Sequence, residues 1–169
     1  VQEAKTLLTV LSKMFSANKE VLQMQALLNI KNGNLTEAQQ LIEKAVSLST
    51  DRAEDIILFT LDYQNKGLLT DAVSLVETYI KQLNSSRLHF RLAQLLFLQR
   101  KLEDSKQAIL KALKLAPKNA NYHYLLGEIY FFLDERNNAA FHYNAAIDNF
   151  TKTTSIIQPI ENAKLALSY

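Results

Sequence analysis

Two consecutive stretches of the chain carry the same pattern of large and small side chains. Residues 86–119 read SRLHFRLAQLLFLQRKLEDSKQAILKALKLAPKN, and residues 120–153 read ANYHYLLGEIYFFLDERNNAAFHYNAAIDNFTKT. A step of 34 residues takes Leu92-Ala93 to Leu126-Gly127. Large apolar residues match large ones and small residues match small ones, which indicates an internal structural repeat.

Each copy predicts a pair of antiparallel helices. Leu88, Leu92 and Leu95 recur at the spacing of one helix face, and the second half of the copy shows the same spacing. The short polar stretch 100–103 between the two halves has room only for a tight turn. One pair cannot bury both of its apolar faces alone, so the copies are expected to stack into a continuous core.

A fixed 34-residue period, with small residues at set places and Pro117 closing one copy, resembles the tetratricopeptide repeat (TPR) family. The resemblance implies an all-α fold, a right-handed α-solenoid of antiparallel helix pairs. It also implies that ligands lie on the concave wall formed by the first helix of each repeat.

The same register extends over the rest of the chain and predicts a single domain, 1–169. Residues 1–18 form the second helix of a truncated repeat, residues 19–52, 53–85, 86–119 and 120–153 form four complete repeats, and residues 154–169 form a capping helix. Because half a repeat stands at the start, the chain is expected to be a fragment of a longer protein. A single capping helix at a natural start is the alternative.

The composition excludes several classes of function. A formal net charge of +2 is too balanced for a nucleic-acid-binding or membrane-surface protein. The absence of Cys excludes disulfides and thiolate metal sites, and no apolar stretch reaches the length of a membrane span. We therefore expect a soluble protein without a cofactor. The compartment is not fixed: the cytoplasm is favoured, and the bacterial periplasm stays open.

No catalytic motif is present, and the sequence predicts a protein that is not an enzyme. There is no Gly-rich phosphate loop, no nucleophile elbow and no H-E-x-x-H zinc motif. His89 and His123 occupy equivalent positions in successive repeats, where a packing role is expected. His142 has no partner at a metal-ligand spacing.

The candidate site is a stripe on the first helices. Counted from the start of a repeat, positions 5, 9 and 12 share one helix face that the packing residues leave unused. Large apolar and aromatic residues on such a face favour an interaction surface. The predicted partner-binding residues are Ile57, Leu61, Phe90, Gln94, Phe97, Tyr124 and Phe131, with Arg87, Arg91 and Glu128 on the rim.

The predicted function is a non-catalytic scaffold that binds a protein or peptide on its concave face, without nucleic acid and without membrane insertion. Two alternatives remain: a recognition or assembly arm of a larger enzyme or of a secretion or biogenesis complex, and a stripe filled by the protein's own further segments. Self-association through an apolar N-terminal repeat face is also expected. Chaperone-tail binding is not predicted, because Gln23, Leu27 and Leu58 stand where that subclass of the family needs Lys and Asn.

Overall fold

The computed structural model describes Val10 and residues 18–151, and the part of the chain that it describes is helical without any strand. The predicted all-α fold is confirmed. The helices within residues 18–151 are α1 Lys19–Asn32, α2 Leu35–Ser47, α3 Arg52–Asn65, α4 Leu69–Ile80, α5 Ser86–Leu98, α6 Leu102–Leu115, α7 Ala120–Phe132 and α8 Arg136–Thr151.

Each predicted repeat between residues 19 and 151 contains two of these helices. Within repeats, α1 packs against α2, α5 against α6 and α7 against α8; between repeats, α2 contacts α3 and α6 contacts α7. The predicted helices at 1–18 and 154–169 lie outside the described residues, except that Val10 is helical.

The chain forms two compact units, one ending at Val76 and the other beginning at Glu77, so the division falls inside α4. In the first unit, the fully buried residues include Ala26 and Ala45 at small-residue positions and Ile42 beside them. In the second unit, Ala93 and Ala112 are the fully buried residues at small-residue positions. The hydroxyl of the buried Ser105 donates a hydrogen bond to the carbonyl oxygen of Ala93 at 2.8 Å. Small side chains therefore mark the places where paired helices approach most closely.

Polar residues cap the starts of three of the first helices. The side chains of Asn18 and Asp51 accept hydrogen bonds from the backbone N–H groups of Val21 and Glu54, respectively. The side chain of Asn119 accepts from the N–H groups of Asn121 and Tyr122. These bonds satisfy donors that have no partner within the helix, which fixes where the helices begin.

Every first helix is followed by a residue in the left-handed conformation, at position 15 of the repeat. Gly33 and Gly67 have φ of 83° and 75°, and Arg100 and Asp134 have φ of 61° and 60°. Glycine adopts this conformation without strain, whereas a residue with a Cβ does so at a cost. The last two repeats therefore carry local strain that the first two avoid.

Arg100→Gly should raise the free energy of unfolding by about 0.5–1 kcal/mol, because relief of the left-handed strain exceeds the added chain entropy of glycine. Arg100→Ala is the matched control, since it removes the same side chain and keeps the strain. Urea unfolding of both variants distinguishes the causes. If the two substitutions change the free energy of unfolding equally, the effect comes from loss of the arginine side chain and not from the backbone conformation.

Candidate partner-binding face

The predicted site residues lie on three first helices. Ile57 and Leu61 are on α3 in the first unit, the first half-buried and the second exposed. In the second unit, Arg87, Phe90, Arg91, Gln94 and Phe97 lie on α5, and Tyr124, Glu128 and Phe131 lie on α7. Helices α5 and α7 contact each other directly. We call Phe90, Gln94, Phe97, Tyr124, Glu128 and Phe131 the α5–α7 face; all six side chains are half-buried.

Aromatic rings join α5 to α7 at both ends of this face. The ring centroid of Phe90 lies 4.7 Å from that of Tyr122, and the Tyr122 hydroxyl is 3.3 Å from the Ser86 hydroxyl. At the other end, Phe97 meets Phe132 edge to face at 5.5 Å. Such pairs stabilise a surface beyond the area they bury. The sequence stripe did not include Tyr122 and Phe132, because positions 3 and 13 fall outside its spacing.

Glu128 is held in place from the core of the fourth repeat. The buried Tyr143 on α8 donates its hydroxyl hydrogen to Glu128 Oε1 at 2.6 Å. Burial, followed by the neighbouring Glu128 carboxylate, raises the pKa of the Tyr143 phenol, so the hydroxyl keeps its proton and remains a donor. The carboxylate therefore has a fixed orientation on the α5–α7 face.

Gly127 makes the Tyr143 position available. A Cβ added to Gly127 would lie 2.7 Å from the Cδ1 and Cε1 atoms of the Tyr143 ring. The equivalent pair in the third repeat is Ala93 and Ile109. Because Gly127 has no methyl side chain, the ring of Tyr143 fits against α7, and its hydroxyl reaches Glu128.

One predicted rim residue does not lie on a rim. Arg91 is only 5% exposed, and burial lowers the pKa of its guanidinium. The rim placement of Arg91 is therefore wrong, because a rim residue would be exposed to solvent and this side chain is buried. Arg87, one turn earlier, is exposed, as the prediction requires.

A histidine pair lies beside this face, between α7 and α8. The Nδ1 atoms of His123 and His142 are 3.0 Å apart, and His123 Nε2 is 2.9 Å from the carbonyl oxygen of Pro117. A carbonyl only accepts, so His123 carries a proton on Nε2 and donates it to Pro117. The Tyr130 ring stacks on His142 at 5.5 Å, with Lys106 Nζ above Tyr130.

The third repeat lacks the second member of this pair. His89 is the equivalent of His123, and Ala108 is the equivalent of His142. The Nδ1 atom of His89 is buried without a hydrogen-bond partner. The contrast shows that the partner of His123 is a feature of the fourth repeat alone.

The free energy of unfolding should fall on acidification, and His142→Ala should make that fall smaller by about 1 kcal/mol. Burial, followed by the charge of His123, lowers the pKa of His142 from 6.5 to about 4. The unfolded chain therefore takes up a proton first as the pH falls, and the stability present above pH 6.5 is lost toward pH 4. This difference in pKa between the unfolded and folded states corresponds to about 3 kcal/mol of stability. Solvent around the half-buried ring makes the actual contribution smaller. Urea unfolding of the parent protein and of His142→Ala at about pH 7.5 and 4.5 measures this contribution. An equal loss of stability in the two proteins would show that His142 is not its source.

The described part of the chain contains no group of three or more His, Cys, Asp or Glu side chains arranged to hold a metal ion. None of the helices in this part of the chain has both the length and the apolar character needed to cross a membrane.

Comparison with known proteins connects this geometry to a family. Profiles of the tetratricopeptide repeat match residues 19–52, 86–119 and 120–149. A search of curated proteins finds no match. Similar solved structures include MamA from Desulfovibrio magneticus RS-1, with 19% identity, a TM-score of 0.65 and coverage of 91% of this chain and 88% of that one. They also include YrrB, a TPR protein with an unusual peptide-binding site, with 15% identity, a TM-score of 0.65 and coverage of 96% and 84%.

At these identities the similar structures support the fold alone, while the profiles cover more than half of the chain. Repeats of this kind are generally non-catalytic modules for interaction between proteins. The chain belongs to the tetratricopeptide repeat family.

Proposed function

We propose that this protein is a non-catalytic scaffold that binds a peptide or a partner helix on its first helices, and that the α5–α7 face is the centre of that contact. The observation that carries the proposal is that the rings of Phe90, Phe97 and Phe131 are half-buried on the two contacting helices that also carry Gln94 and Glu128. Aromatic side chains that are partly covered before binding lose little conformational freedom when a partner covers the rest.

The polar groups on the same face favour a partner with hydrogen-bond donors. The Glu128 carboxylate is already oriented by Tyr143, so a donor from the partner meets an acceptor that needs no rearrangement. Gln94 offers both a donor and an acceptor, at position 9 of the third repeat, where the fourth has Glu128. A peptide backbone or a basic side chain supplies suitable groups. Peptide binding is also the property named for YrrB, a protein of the same fold.

Photo-crosslinking tests this proposal with peptides chosen from a displayed library of random dodecamers. A benzophenone amino acid replaces Gln94 on the α5–α7 face or, as the control, the exposed Gln107 on α6. We expect the selected peptides to crosslink at position 94, and unlabelled peptide to compete. Crosslinking at position 107 with none at position 94 would place binding on the second helices and refute the proposal.

A further inference from the structure

The turn after the first helix has the same hydrogen bonds in all four repeats. After α1, the N–H of Gly33 donates to the carbonyl oxygen of Ile30 at 3.2 Å, and the N–H of Asn34 donates to that of Asn29 at 2.9 Å. These two bonds close the helix end, and the left-handed residue makes this arrangement possible. The other three turns make the equivalent pairs of bonds, with Gly67, Arg100 and Asp134 as first donors. The four turns therefore share a backbone arrangement and differ in their side chains.

The residue at position 14, directly before the left-handed residue, has a different chemistry in each repeat. It is Asn32 in the first repeat, and the other three repeats have Lys66, Gln99 and Leu133. Asn32 is exposed, and within the described part of the chain no hydrogen bond holds its side chain. A Cβ added to the neighbouring Gly33 would have no atom within 4 Å. Among the four turns, the first alone places a short, unbonded carboxamide beside a glycine with open space around it.

An asparagine that precedes a glycine is able to react with its own main chain. Base removes the proton from the Gly33 nitrogen, which attacks Cγ of Asn32, and the side-chain nitrogen takes up a proton and leaves as ammonia. The product is a cyclic imide, and water then opens one of its carbonyl–nitrogen bonds to give aspartate or isoaspartate. Because both reacting groups belong to adjacent residues, no second molecule has to be positioned for ring closure. Gln99 in the third repeat would have to close a larger ring, against a residue whose side chain hinders the attack.

We propose that Asn32 is a modification site, at which the protein deamidates spontaneously to aspartate and isoaspartate with water as the co-reactant. The closed turn slows the reaction, because the Gly33 N–H is held in its bond to Ile30. The turn has to open before the nitrogen attacks, and helix ends open more readily than helix interiors. Deamidation at Asn32 therefore records opening of the end of α1. The site goes beyond the α5–α7 face and does not depend on the binding proposed there.

The product alters this helix end in two ways. A carboxylate at position 32 lies at the negative end of the α1 dipole, where a negative charge is unfavourable. Isoaspartate also adds a carbon atom to the main chain before Gly33, which changes the spacing between the donors and acceptors of the turn. The modified chain should therefore lose the bond from Gly33 to Ile30 and the bond from Asn34 to Asn29.

Mass spectrometry tests the proposal on the whole protein, after incubation in buffer and digestion at acidic pH. The fragment that contains residue 32 should gain about 1 Da and separate into two products, the aspartate and isoaspartate forms. Because the attacking nitrogen must first lose its proton, the gain should be about tenfold faster at pH 8.4 than at pH 7.4. In guanidinium chloride the turn is open, so the reaction should be faster there than in buffer. An unmodified residue 32, or equal rates in the folded and unfolded protein, would overturn the proposal.

Two substitutions in the second repeat provide matched controls. Lys66→Asn places an asparagine before Gly67 in the same turn, and it should create a second site that reacts at a similar rate. Lys66→Gln carries the same carboxamide on a longer side chain and should stay unmodified over the same period. Asn84 is exposed as well, but Ser85 after it has a side chain and donates its N–H to Leu83 at 2.8 Å. No reaction in Lys66→Asn, or reaction at Asn84 ahead of Asn32, would show that the glycine turn does not select the site.

Discussion

Gly127→Ala should lower the free energy of unfolding by about 1–3 kcal/mol, even though alanine is the better helix former. The added Cβ would stand 2.7 Å from two carbon atoms of the Tyr143 ring. That ring is 1% exposed, and its hydroxyl is bonded to Glu128, so it has no free direction in which to move. Relief of the clash requires α7 and α8 to separate, which weakens the core of the fourth repeat.

A double variant isolates the cause of this loss. Gly127→Ala with Tyr143→Ile rebuilds the Ala93 and Ile109 pair of the third repeat. Because the shorter side chain removes the clash, the double variant should be more stable than the sum of the two single effects by about 1 kcal/mol or more. Urea unfolding of the four proteins in the cycle measures this coupling. Additive losses would show that the ring contact is not the origin of the effect.

Phe90→Ser should weaken binding of peptides selected from the random library by about thirtyfold, which corresponds to about 2 kcal/mol. Phe90 is half-buried on the α5–α7 face, and its ring packs on Tyr122, so a partner that covers it completes an aromatic cluster. Phe131 is less suitable for this test, because it also packs against the buried Ala139 and Tyr143. Titration followed by anisotropy gives the dissociation constants.

Phe141→Ser provides the matched control for this measurement. Phe141 is 67% exposed on α8, so its replacement removes an aromatic ring of the same size from a second helix. Both variants should keep the helical circular-dichroism spectrum of the parent protein. If Phe90→Ser unfolds the second unit, Phe90 belongs to the core. If the control weakens binding equally, the α5–α7 face is not the contact.

Much of the fold is readable from the sequence because close helix packing limits side-chain size. Ala26, Thr60 and Ala93 stand at position 8 of successive repeats, and each is 0% exposed. A large residue there would force two backbones apart, so the recurrence of small residues at steps of 34 and 33 residues follows directly from the packing. The glycine turns after α1 and α3 are readable for the same kind of reason. The left-handed turns at Arg100 and Asp134 are not, because nothing in those residue types demands that conformation.

The candidate site was only partly readable, because helical periodicity gives the direction of a side chain and not its depth. The stripe contains Phe90 and Phe97, which are both half-buried on α5, yet it put the buried Arg91 on a rim. The contact between His123 and His142 joins residues 19 apart across antiparallel helices, a separation that has no local signature. The stripe did not include Phe132, because position 13 lies outside its spacing. The Phe132 ring nevertheless extends far enough from α7 to contact Phe97.

A crystal structure of the protein with a selected library peptide tests the proposed function most directly. The peptide should lie across α5 and α7, cover the rings of Phe90 and Phe97, and place a hydrogen-bond donor against Glu128. Tyr143 should keep its bond to that carboxylate, so the face should change little on binding. A peptide bound instead along α6 and α8, with the rings of the α5–α7 face uncovered, would contradict the proposed function.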